Sequence, residues 1–374
     1  MPPTFSIVIP TKNRPALLKE AMTSVILQNF NNFELVISDD SDDDKARVVV
    51  EGFEDKRIRY LKPKPGMNMP THFEWATRQS EGEYTMLFPD RSIMMQGALR
   101  KLDKIIRDNP AMGVVYFPWF IFDETRSVLC GQYSKSKGKE RLVESTDVLR
   151  EFVNNPENFY SMPRNLNTLY SRKVADDLRD KFGSLFMELN PDFTFAFLVL
   201  SQFNELLYVD QPLFISQGLA ASTGNKPISS YVGDGEVFYN TPLDVPVAMN
   251  TFFEDFLRMK KIADKNLGQF DINRASYFFA VYKDFIYKKK LFTHDEFSKN
   301  LRKLRDFKKS FTNSEKRELK KRRAELLIFT VKTFINNSSA SNFFRTIKRK
   351  IDFLRIKGFR IKYKSVLEAA GFNE

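Results

Sequence analysis

The sequence is poor in cysteine and histidine: Cys130 is the single cysteine among 374 residues, and His72 and His294 are the only histidines. One cysteine excludes an internal disulfide and is typical of a reducing compartment, so we expect a cytoplasmic protein. The same scarcity excludes a metal site built from a cluster of cysteine and histidine ligands.

Long apolar runs are missing as well. No uninterrupted run reaches the roughly 18 apolar residues that a membrane-spanning helix needs, so we expect none. The opening residues MPPTFSIVIP already have the pattern of a strand, and we therefore expect no signal peptide. With 374 residues, of which 42% are hydrophobic, the chain is long enough to bury a sizeable core, and we expect two domains.

Positive charge is concentrated near the C-terminus. Residues 301–374 contain 21 Lys and Arg residues against 7 Asp and Glu residues, whereas the net charge of the whole chain is +12. The preceding residues therefore carry a slight excess of negative charge. A basic region that is confined to one segment predicts an anionic partner.

The N-terminal pattern predicts a strand, a helix and a second strand. A β-branched run over residues 6–9 ends at a proline, and apolar positions then recur at the helical period, with Thr11 or Asn13 as the expected cap. A second apolar run, 33–38, ends in the acidic stretch 39–44. Polar groups at the carboxyl ends of neighbouring strands are typical of a nucleotide site in an open α/β sheet.

The segment SIVIPTKNRPALLKEAMTSVILQNFNNFELVISDDSDDD resembles the opening motif of the family 2 glycosyltransferases in order, spacing and secondary structure. The resemblance covers about residues 4–224. It implies the GT-A fold, an α/β fold with a mixed, mainly parallel sheet that binds a nucleotide sugar. We expect this domain over residues 1–225, a linker over 226–248 and an α-helical, basic C-terminal extension over 249–374.

The same resemblance implies the residues of the nucleotide site. Thr11 and Asn13 are expected to flank the nucleotide base and ribose, and Asp39 to contact the base or the ribose. A carboxylate at a strand end can accept hydrogen bonds from an N–H group or from sugar hydroxyls. The other residues expected to bind the nucleotide sugar are Pro10, Arg14, Asp40 and Asp90.

The metal motif of the family, Asp-any-Asp, is incomplete in this chain. The segment GMNMPTHFEWATRQSEGEYTMLFPDRSIMMQGALRKL resembles a subgroup of the family, and the three acidic positions of the motif fall on Asp90, Arg91 and Ser92. In the family, the last of these acids binds the divalent cation that neutralises the diphosphate. A serine brings no charge to that role.

Four interpretations of this motif are open. In the first, Mg²⁺ or Mn²⁺ binds through Asp90, phosphate oxygens and water. In the second, Arg91 replaces the metal as the cation that stabilises the departing diphosphate, because a guanidinium group suits phosphate. In the third, the site is catalytically inactive. In the fourth, Arg91 simply pairs with Asp90 on the surface.

Asp192 is the predicted general base. It precedes an apolar helix in a segment that resembles the acceptor half of the family subgroup, and an acidic residue there commonly takes the proton from the acceptor hydroxyl. An ordinary helix N-cap is the alternative role of Asp192. Glu188 is the second candidate for the base.

Three further residues are candidates for acceptor contacts or supporting roles. His72 takes the place of a family asparagine and is either a structural histidine or a substrate contact. Glu74 matches a family glutamate and is expected to fix a loop through hydrogen bonds. Trp119 is either an aromatic platform for a sugar or a core residue.

Residues 314–336 and 343–361 combine basic and apolar positions in the pattern of amphipathic helices. Such helices suit an anionic membrane surface, which would place the protein at the periphery of the inner face of the cell membrane. The alternative is a helical subdomain that buries its apolar stripe. No nucleic-acid partner is expected, because no recognition fold or base-reading motif is present.

The resemblance implies transfer of a sugar from a nucleoside diphosphate sugar to a hydroxyl of a glycan or lipid-linked acceptor, with inversion. The expected setting is the synthesis of a bacterial surface polysaccharide such as capsule or lipopolysaccharide. The alternative function is noncatalytic binding of a nucleotide or glycan by a chain that kept the fold and lost the metal motif.

Overall fold

The computed structural model of the chain describes residues 2–123, 127–130, 138–217, 237–322, 360–362 and 365–372. These residues fall into two compact units. The first unit takes the described residues of Met1–Ser145, Ser161–Leu219 and Gly358–Glu374. The second takes those of Thr146–Tyr160 and Ala220–Lys357.

The strands, in chain order, are β1 (Phe5–Thr11), β2 (Phe33–Asp39), β3 (Ile58–Leu61), β4 (Tyr84–Leu87), β5 (Ser92–Met94), β6 (Val114–Tyr116), β7 (Phe120–Asp123), β8 (Val128–Cys130), β9 (Glu140–Glu144), β10 (Thr168–Ser171), β11 (Glu205–Val209), β12 (Phe214–Ser216) and β13 (Arg360–Lys362). The α-helices are α1 (Pro15–Ile26), α2 (Lys45–Glu51), α3 (Met69–Arg78), α4 (Ala98–Asp108), α5 (Ser145–Asn154), α6 (Arg172–Phe182), α7 (Pro191–Gln202), α8 (Ala248–Ile262), α9 (Asp264–Leu267), α10 (Arg274–Tyr287), α11 (His294–Lys309), α12 (Asn313–Lys321) and α13 (Val366–Ala369).

The first unit is built on an eight-stranded sheet with the order β3-β2-β1-β4-β10-β6-β11-β9. β1 pairs in parallel with β2 and β4, and β2 pairs in parallel with β3, whereas β10 runs antiparallel between β4 and β6. Every residue of β1 and β2 is buried, as expected for central strands that are covered on both faces. This sheet confirms the predicted α/β class with a mixed, mainly parallel sheet.

A second sheet of five strands, in the order β13-β8-β7-β12-β5, also belongs to the first unit. Its edge strand β13 pairs antiparallel with β8, and α13 contributes to the apolar core on this sheet. The predicted boundaries assign these C-terminal residues to the helical extension that begins at residue 249. The structure instead groups them with the first unit, because their apolar side chains are buried against its strands.

The predicted caps of α1 are wrong. The N-cap position is taken by Arg14, which makes no side-chain capping bond. Thr11 is the last residue of β1, and its hydroxyl donates to Asp90. Asn13 has a φ of 56°, a left-handed conformation that asparagine tolerates, and its side chain bonds to the loop after β2. Both side chains therefore form hydrogen bonds at the edge of the sheet and do not cap the helix.

The second unit is helical and rich in phenylalanine, which confirms the predicted helical C-terminal region. The rings of Phe253 on α8 and Tyr277 on α10 meet edge to face with centroids 4.9 Å apart. Phe152 on α5 packs on Phe253 and Phe256. Residues 146–160 therefore belong to the helical unit, although the predicted boundary places them in the N-terminal domain.

The sequence predicts a linker over residues 226–248, of which 226–236 lie outside the described residues. The remaining part is not a free linker, because Val245 and Val247 are fully buried. The backbone N–H groups of Asn240 and Thr241 also donate to the buried carboxylate of Glu254 on α8, at 3.0 and 2.9 Å. This segment is thus part of the helical unit.

Helices α11 and α12 each begin with a capping box, formed by Thr293 with Glu296 and by Thr312 with Glu315. α12 covers the start of the predicted basic helix, and the rest of that helix from residue 323, together with residues 343–359, lies outside the described part of the chain. Within the residues described, no helix is both long enough and apolar enough to cross a bilayer.

Glu74 on α3 connects this helix to the loop that follows α6. One of its carboxylate oxygens accepts a hydrogen bond from Nε of Arg179 at 2.8 Å, and the other accepts from the hydroxyl of Ser184 at 3.1 Å and from the backbone N–H of Leu185 at 2.8 Å. The side chains of Glu74 and Arg179 are both 13% exposed. Their ion pair and these hydrogen bonds tie the loop before α7 to α3.

We therefore expect Glu74→Gln to lower the free energy of unfolding of the first unit by about 2 kcal/mol, because Arg179 then faces a neutral amide. Both tryptophans, Trp75 and Trp119, lie in this unit, so tryptophan fluorescence during urea denaturation of the full chain measures its stability. The matched control is Glu51→Gln in an exposed helical ion pair, expected to change stability by less than about 0.5 kcal/mol. Equal losses in both variants would contradict the anchoring role of Glu74.

Candidate active site

The carboxyl ends of β1, β2 and β4 meet at one edge of the eight-stranded sheet. The register of β1 and β2 places Pro10 opposite Ser38 and Thr11 opposite Asp39. The hydroxyl of Thr11 donates to Oδ2 of Asp90, which follows β4, at 2.9 Å. The structure therefore brings together the residues that the sequence predicts for the nucleotide site.

Asp39 is fully buried and held by the neighbouring backbone and by β3. Its Oδ1 accepts a hydrogen bond from the backbone N–H of Ser41 at 2.9 Å, and its Oδ2 accepts one from the hydroxyl of Tyr60 at 2.8 Å. The ammonium group of Lys62 lies 3.7 Å from the same Oδ2. Burial and the bond to Asp39 raise the pKa of Tyr60, so the phenol remains a donor. Tyr60 in β3 and Lys62 just after it are partners that sequence reasoning missed.

The segments after β1 and β2 are hydrogen-bonded to each other. Lys12 donates to the nearly buried carboxylate of Asp40 at 2.7 Å, and this bond raises the pKa of Lys12. The backbone N–H of Asn13 donates to Ser41 at 2.8 Å, and its side chain exchanges two bonds with Asp42. These bonds fix both loops, so the rim of the predicted nucleotide site is held by contacts within the protein.

Asp90 is 5% exposed, and both of its oxygens have protein partners. Oδ2 accepts from Thr11, and Oδ1 lies 3.3 Å from Nη1 of Arg14. Burial raises the pKa of Asp90, while Arg14 and Thr11 act in the opposite direction. The structure therefore contains a pair between Asp90 and Arg14, and not the simple surface pair between Asp90 and Arg91.

Arg91 lies just before β5 and is held by β12. Its Nη1 donates to the hydroxyl of Ser216 at 2.7 Å and to the carbonyl of Gln217 at 3.1 Å, and the N–H of Gln217 donates to the carbonyl of Arg91 at 3.0 Å. Both acceptors of the guanidinium are neutral, and within the described part of the chain no carboxylate forms an ion pair with it. Arg91 is thus a partly buried cation without a counter-charge in direct contact.

The electrostatic surroundings of Arg91 contain charges of both signs. Burial lowers the pKa of Arg91, and the nearby positive charges of Arg14 and Arg164 act in the same direction. The negative charges of Asp90 and Asp192 raise it. An anionic ligand would add the counter-charge that the protein itself does not place in contact.

The residues present do not fit a divalent cation. Both oxygens of Asp90 are already bonded, and the hydroxyl of Ser92 is buried in the sheet with no hydrogen-bond partner among the residues described. Arg91 lies between Asp90 and Ser92 in the chain, and its positive charge disfavours a cation at this place. No group of three or more Asp, Glu, His or Cys side chains that could hold a metal ion occurs in the described ranges.

Asp192 lies in the first turn of α7, and Asn190 takes the N-cap position, so the plain capping role considered for Asp192 is excluded. Oδ2 of Asp192 accepts from Nη1 of Arg164 at 3.2 Å, and the carboxylate side chain stays 23% exposed. The start of a helix favours a negative charge. Glu188 is exposed just ahead, next to Leu189, whose φ of 75° turns the chain into α7.

Trp119 and His72 have structural surroundings. The ring of Trp119 is 8% exposed, stacks on Phe214 with centroids 5.9 Å apart, and has the guanidinium of Arg164 over it at 4.7 Å. His72 on α3 is buried, and its Nε2 lies 2.7 Å from the hydroxyl of Ser38, the residue before the predicted nucleotide carboxylate. Burial lowers the pKa of His72, which favours the neutral ring. Glu74 makes the loop contacts described above.

Residues 6–160 match the family Glycosyl transferase family 2. The chain is 32% identical over 107 residues to the GalNAc(5)-diNAcBac-PP-undecaprenol beta-1,3-glucosyltransferase of Campylobacter jejuni, a match that covers 27% of this chain and 33% of that protein. It is 44% identical over 62 residues to the validoxylamine A glucosyltransferase of Streptomyces hygroscopicus, covering 16% of this chain and 15% of that protein. The matches thus span a third or less of the length of these relatives.

The fold is similar to the crystal structure of S. aureus TarS 1–349 in complex with UDP-GlcNAc, with a TM-score of 0.51 and 15% sequence identity over 98% of this chain and 91% of that one. This similarity concerns the fold alone, and it confirms the fold class predicted from the sequence. The sequence match covers the N-terminal motifs and the residues of the candidate site up to Arg91. Residues 6–160 are thus similar in sequence to glycosyl transferase family 2.

Proposed function

We propose that the protein transfers a sugar from a nucleoside diphosphate sugar to a hydroxyl of a glycan or lipid-linked acceptor, with inversion. The observation that carries this proposal is the environment of Arg91. A partly buried guanidinium without a carboxylate in contact lies beside the buried carboxylates of a nucleotide-type strand edge. The match of residues 6–160 to glycosyl transferase family 2 supports the same function.

The donor would bind across the loops after β1, β2 and β4. Asp39, held by Tyr60, would accept hydrogen bonds from the base or the ribose, and Thr11 and Asn13 would flank them. The diphosphate would then lie against Arg14 and Arg91. Guanidinium groups bind phosphate oxygens in a bidentate manner, so these two side chains suit the part of the donor that becomes the leaving group.

The reaction would be a single displacement at the anomeric carbon. The acceptor oxygen forms the new bond while the bond from the anomeric carbon to the diphosphate breaks, and attack from the opposite face inverts the centre. Asp192 would take the proton of the acceptor hydroxyl, with its carboxylate oriented by Arg164. The electron pair would leave with the diphosphate, and Arg91 would stabilise that charge. No step requires a metal ion in this scheme.

The first prediction separates nucleotide binding from chemistry. Asp39→Ala should mainly weaken donor binding, because it removes the buried acceptor at the end of β2. Asp192→Asn should lower turnover about 100-fold or more and leave donor affinity nearly unchanged, because it removes the base and keeps the shape. Transfer kinetics with a panel of nucleotide sugars, together with calorimetric binding of the matching nucleoside diphosphate, measures both effects.

The matched control for the base is Asp176→Asn, an exposed residue of α6 that should leave both parameters unchanged. Turnover close to wild type in Asp192→Asn would eliminate Asp192 as the base and direct the search to Glu188. Nucleotide binding without transfer or hydrolysis of any donor in the panel would instead favour the noncatalytic alternative.

The second prediction concerns the charge that stabilises the leaving group. We expect transfer to persist in excess EDTA, because the donor set around Asp90 does not fit a divalent cation. Arg91→Ala should lower turnover on the order of 100-fold, as for the loss of one key electrostatic group. Arg91→Lys should keep part of the activity, because it retains the charge and loses the planar fork.

The control for Arg91 is Arg172→Ala, a mostly exposed arginine of the same unit that bonds to backbone carbonyls. This variant should transfer sugar at the wild-type rate. Complete loss of activity in EDTA that Mn²⁺ or Mg²⁺ restores would reject Arg91 as the replacement for the metal.

We further propose that the protein lies at the periphery of the inner face of the cell membrane, where a lipid-linked acceptor and the precursors of a capsule or lipopolysaccharide are accessible. The support is the surface of α12, on which the basic side chains are exposed. These side chains belong to Lys316, Arg317, Lys320 and Lys321. Each basic residue near an anionic surface contributes about 1 kcal/mol of attraction.

The third prediction is that the full chain sediments with vesicles containing about a third phosphatidylglycerol and is released as salt rises. Neutralising the four basic residues of α12 to Gln should weaken this partition about 100-fold or more at low salt. The control neutralises four exposed lysines of the first unit, Lys19, Lys56, Lys64 and Lys173. Equal effects in both quadruple variants would show that α12 is only a solvated face.

A further inference from the structure

The C-terminal residues 365–372 share one apolar core with the five-stranded sheet. Val366, Ala369, Ala370 and Phe372 are buried there together with side chains of four strands. These strand residues are Ile93 on β5, Phe120 and Phe122 on β7, Leu129 on β8 and Ile215 on β12. The backbone N–H of Gln96 also donates to the carbonyl of Ala370 at 2.9 Å.

The same strand pair holds Arg91. β5 and β12 pair antiparallel, with Ile93 opposite Ile215 and Ser92 opposite Ser216. Arg91 precedes β5, and its guanidinium donates to Ser216 at the end of β12. Two side chains of this core are therefore close in the chain to the cation and its acceptor: Ile93 is two residues from Arg91, and Ile215 is one residue from Ser216.

We propose that the segment 365–372 is a positioning element for Arg91: its core contacts keep β5 and β12 in register and thereby aim the guanidinium at the diphosphate. The role in transfer rests on the proposed function. The segment touches no reacting atom and acts through the two strands. The segment would contribute by fixing the position of the guanidinium, because electrostatic stabilisation of a leaving group depends on donors that are already in place.

The position of the segment also predicts which half of the donor it affects. The carboxylate at the end of β2 and its partner Tyr60 belong to the eight-stranded sheet. The cation Arg91 is bonded to the five-stranded sheet. Loosening the C-terminal core should therefore weaken recognition of the diphosphate and leave recognition of the nucleoside intact.

The test uses the full chain with Phe372→Ala, which removes a ring that is 6% exposed. The probes are the diphosphate and monophosphate of whichever of uridine, guanosine, adenosine or thymidine binds the wild type best. We expect affinity for the diphosphate to fall about tenfold and turnover to fall with it, and affinity for the monophosphate to stay unchanged. Leu178→Ala on α6, equally buried in the first unit, should keep the ratio of the two affinities.

A double-mutant cycle shows whether the effect passes through Arg91. In an Arg91→Ala background, Phe372→Ala should cause no further loss of diphosphate affinity, because the group it positions is absent. Additive losses would mean that the segment acts on the site by another route. Equal losses for the monophosphate and the diphosphate would mean general destabilisation. Either result overturns the proposal.

Hydrogen exchange separates this proposal from the proposed function. Peptides covering residues 91–96 and 213–217 should exchange faster in Phe372→Ala than in the wild type and remain unchanged in Leu178→Ala. If the wild type binds no nucleotide, the proposed function fails. Faster exchange in these two peptides of Phe372→Ala would then still show that the C-terminal segment stabilises the pairing of β5 and β12. Unchanged exchange in both peptides overturns the positioning role, whatever the activity.

Discussion

The site depends on the positive charge of Arg91, whose guanidinium is partly buried and has no carboxylate in contact among the residues described. The guanidinium of Arg91 donates to a hydroxyl and a carbonyl, and its charged neighbours are the pairs Asp90 with Arg14 and Asp192 with Arg164. Such an arrangement is less favourable than a direct ion pair, because Asp90 and Asp192 act on the guanidinium without contacting it. In the proposed function, the diphosphate of the donor would supply a negative charge in contact with this guanidinium.

In the proposed function, each of the two sheets of the first unit would hold one part of the donor. The eight-stranded sheet places Thr11, Asp39 and the loops after β1 and β2 at one edge, where hydrogen bonds among protein groups fix the rim. The five-stranded sheet carries the neutral acceptors that hold Arg91. Asp90 lies between β4 and β5, so the chain itself joins the two halves of the site. Selectivity for the nucleoside and stabilisation of the leaving group can then vary independently.

The sequence predicted the parts of the fold that depend on local patterns. The strand–helix–strand opening, the acidic strand end and the apolar helix after Asp192 follow from periodicity and from the positions of proline and acid residues. The neighbouring strands β6 and β7 are separated at Pro118, which has no backbone N–H to donate to a ladder. Contacts between distant segments left no local signal, and they include Tyr60 on Asp39, Ser216 on Arg91 and the return of the C-terminus to the five-stranded sheet.

The arginine and the serine of the incomplete metal motif are best understood as one chemical change. A carboxylate at position 92 would lie next to Arg91 in the chain and would compensate the charge that the site retains. Serine leaves that charge available, and its hydroxyl is buried within β5. A metal ion brings its own coordination geometry, whereas a guanidinium on a flexible side chain is aimed only by packing and hydrogen bonds. A site that uses arginine therefore depends more strongly on the strands behind it, which is where the C-terminal residues pack.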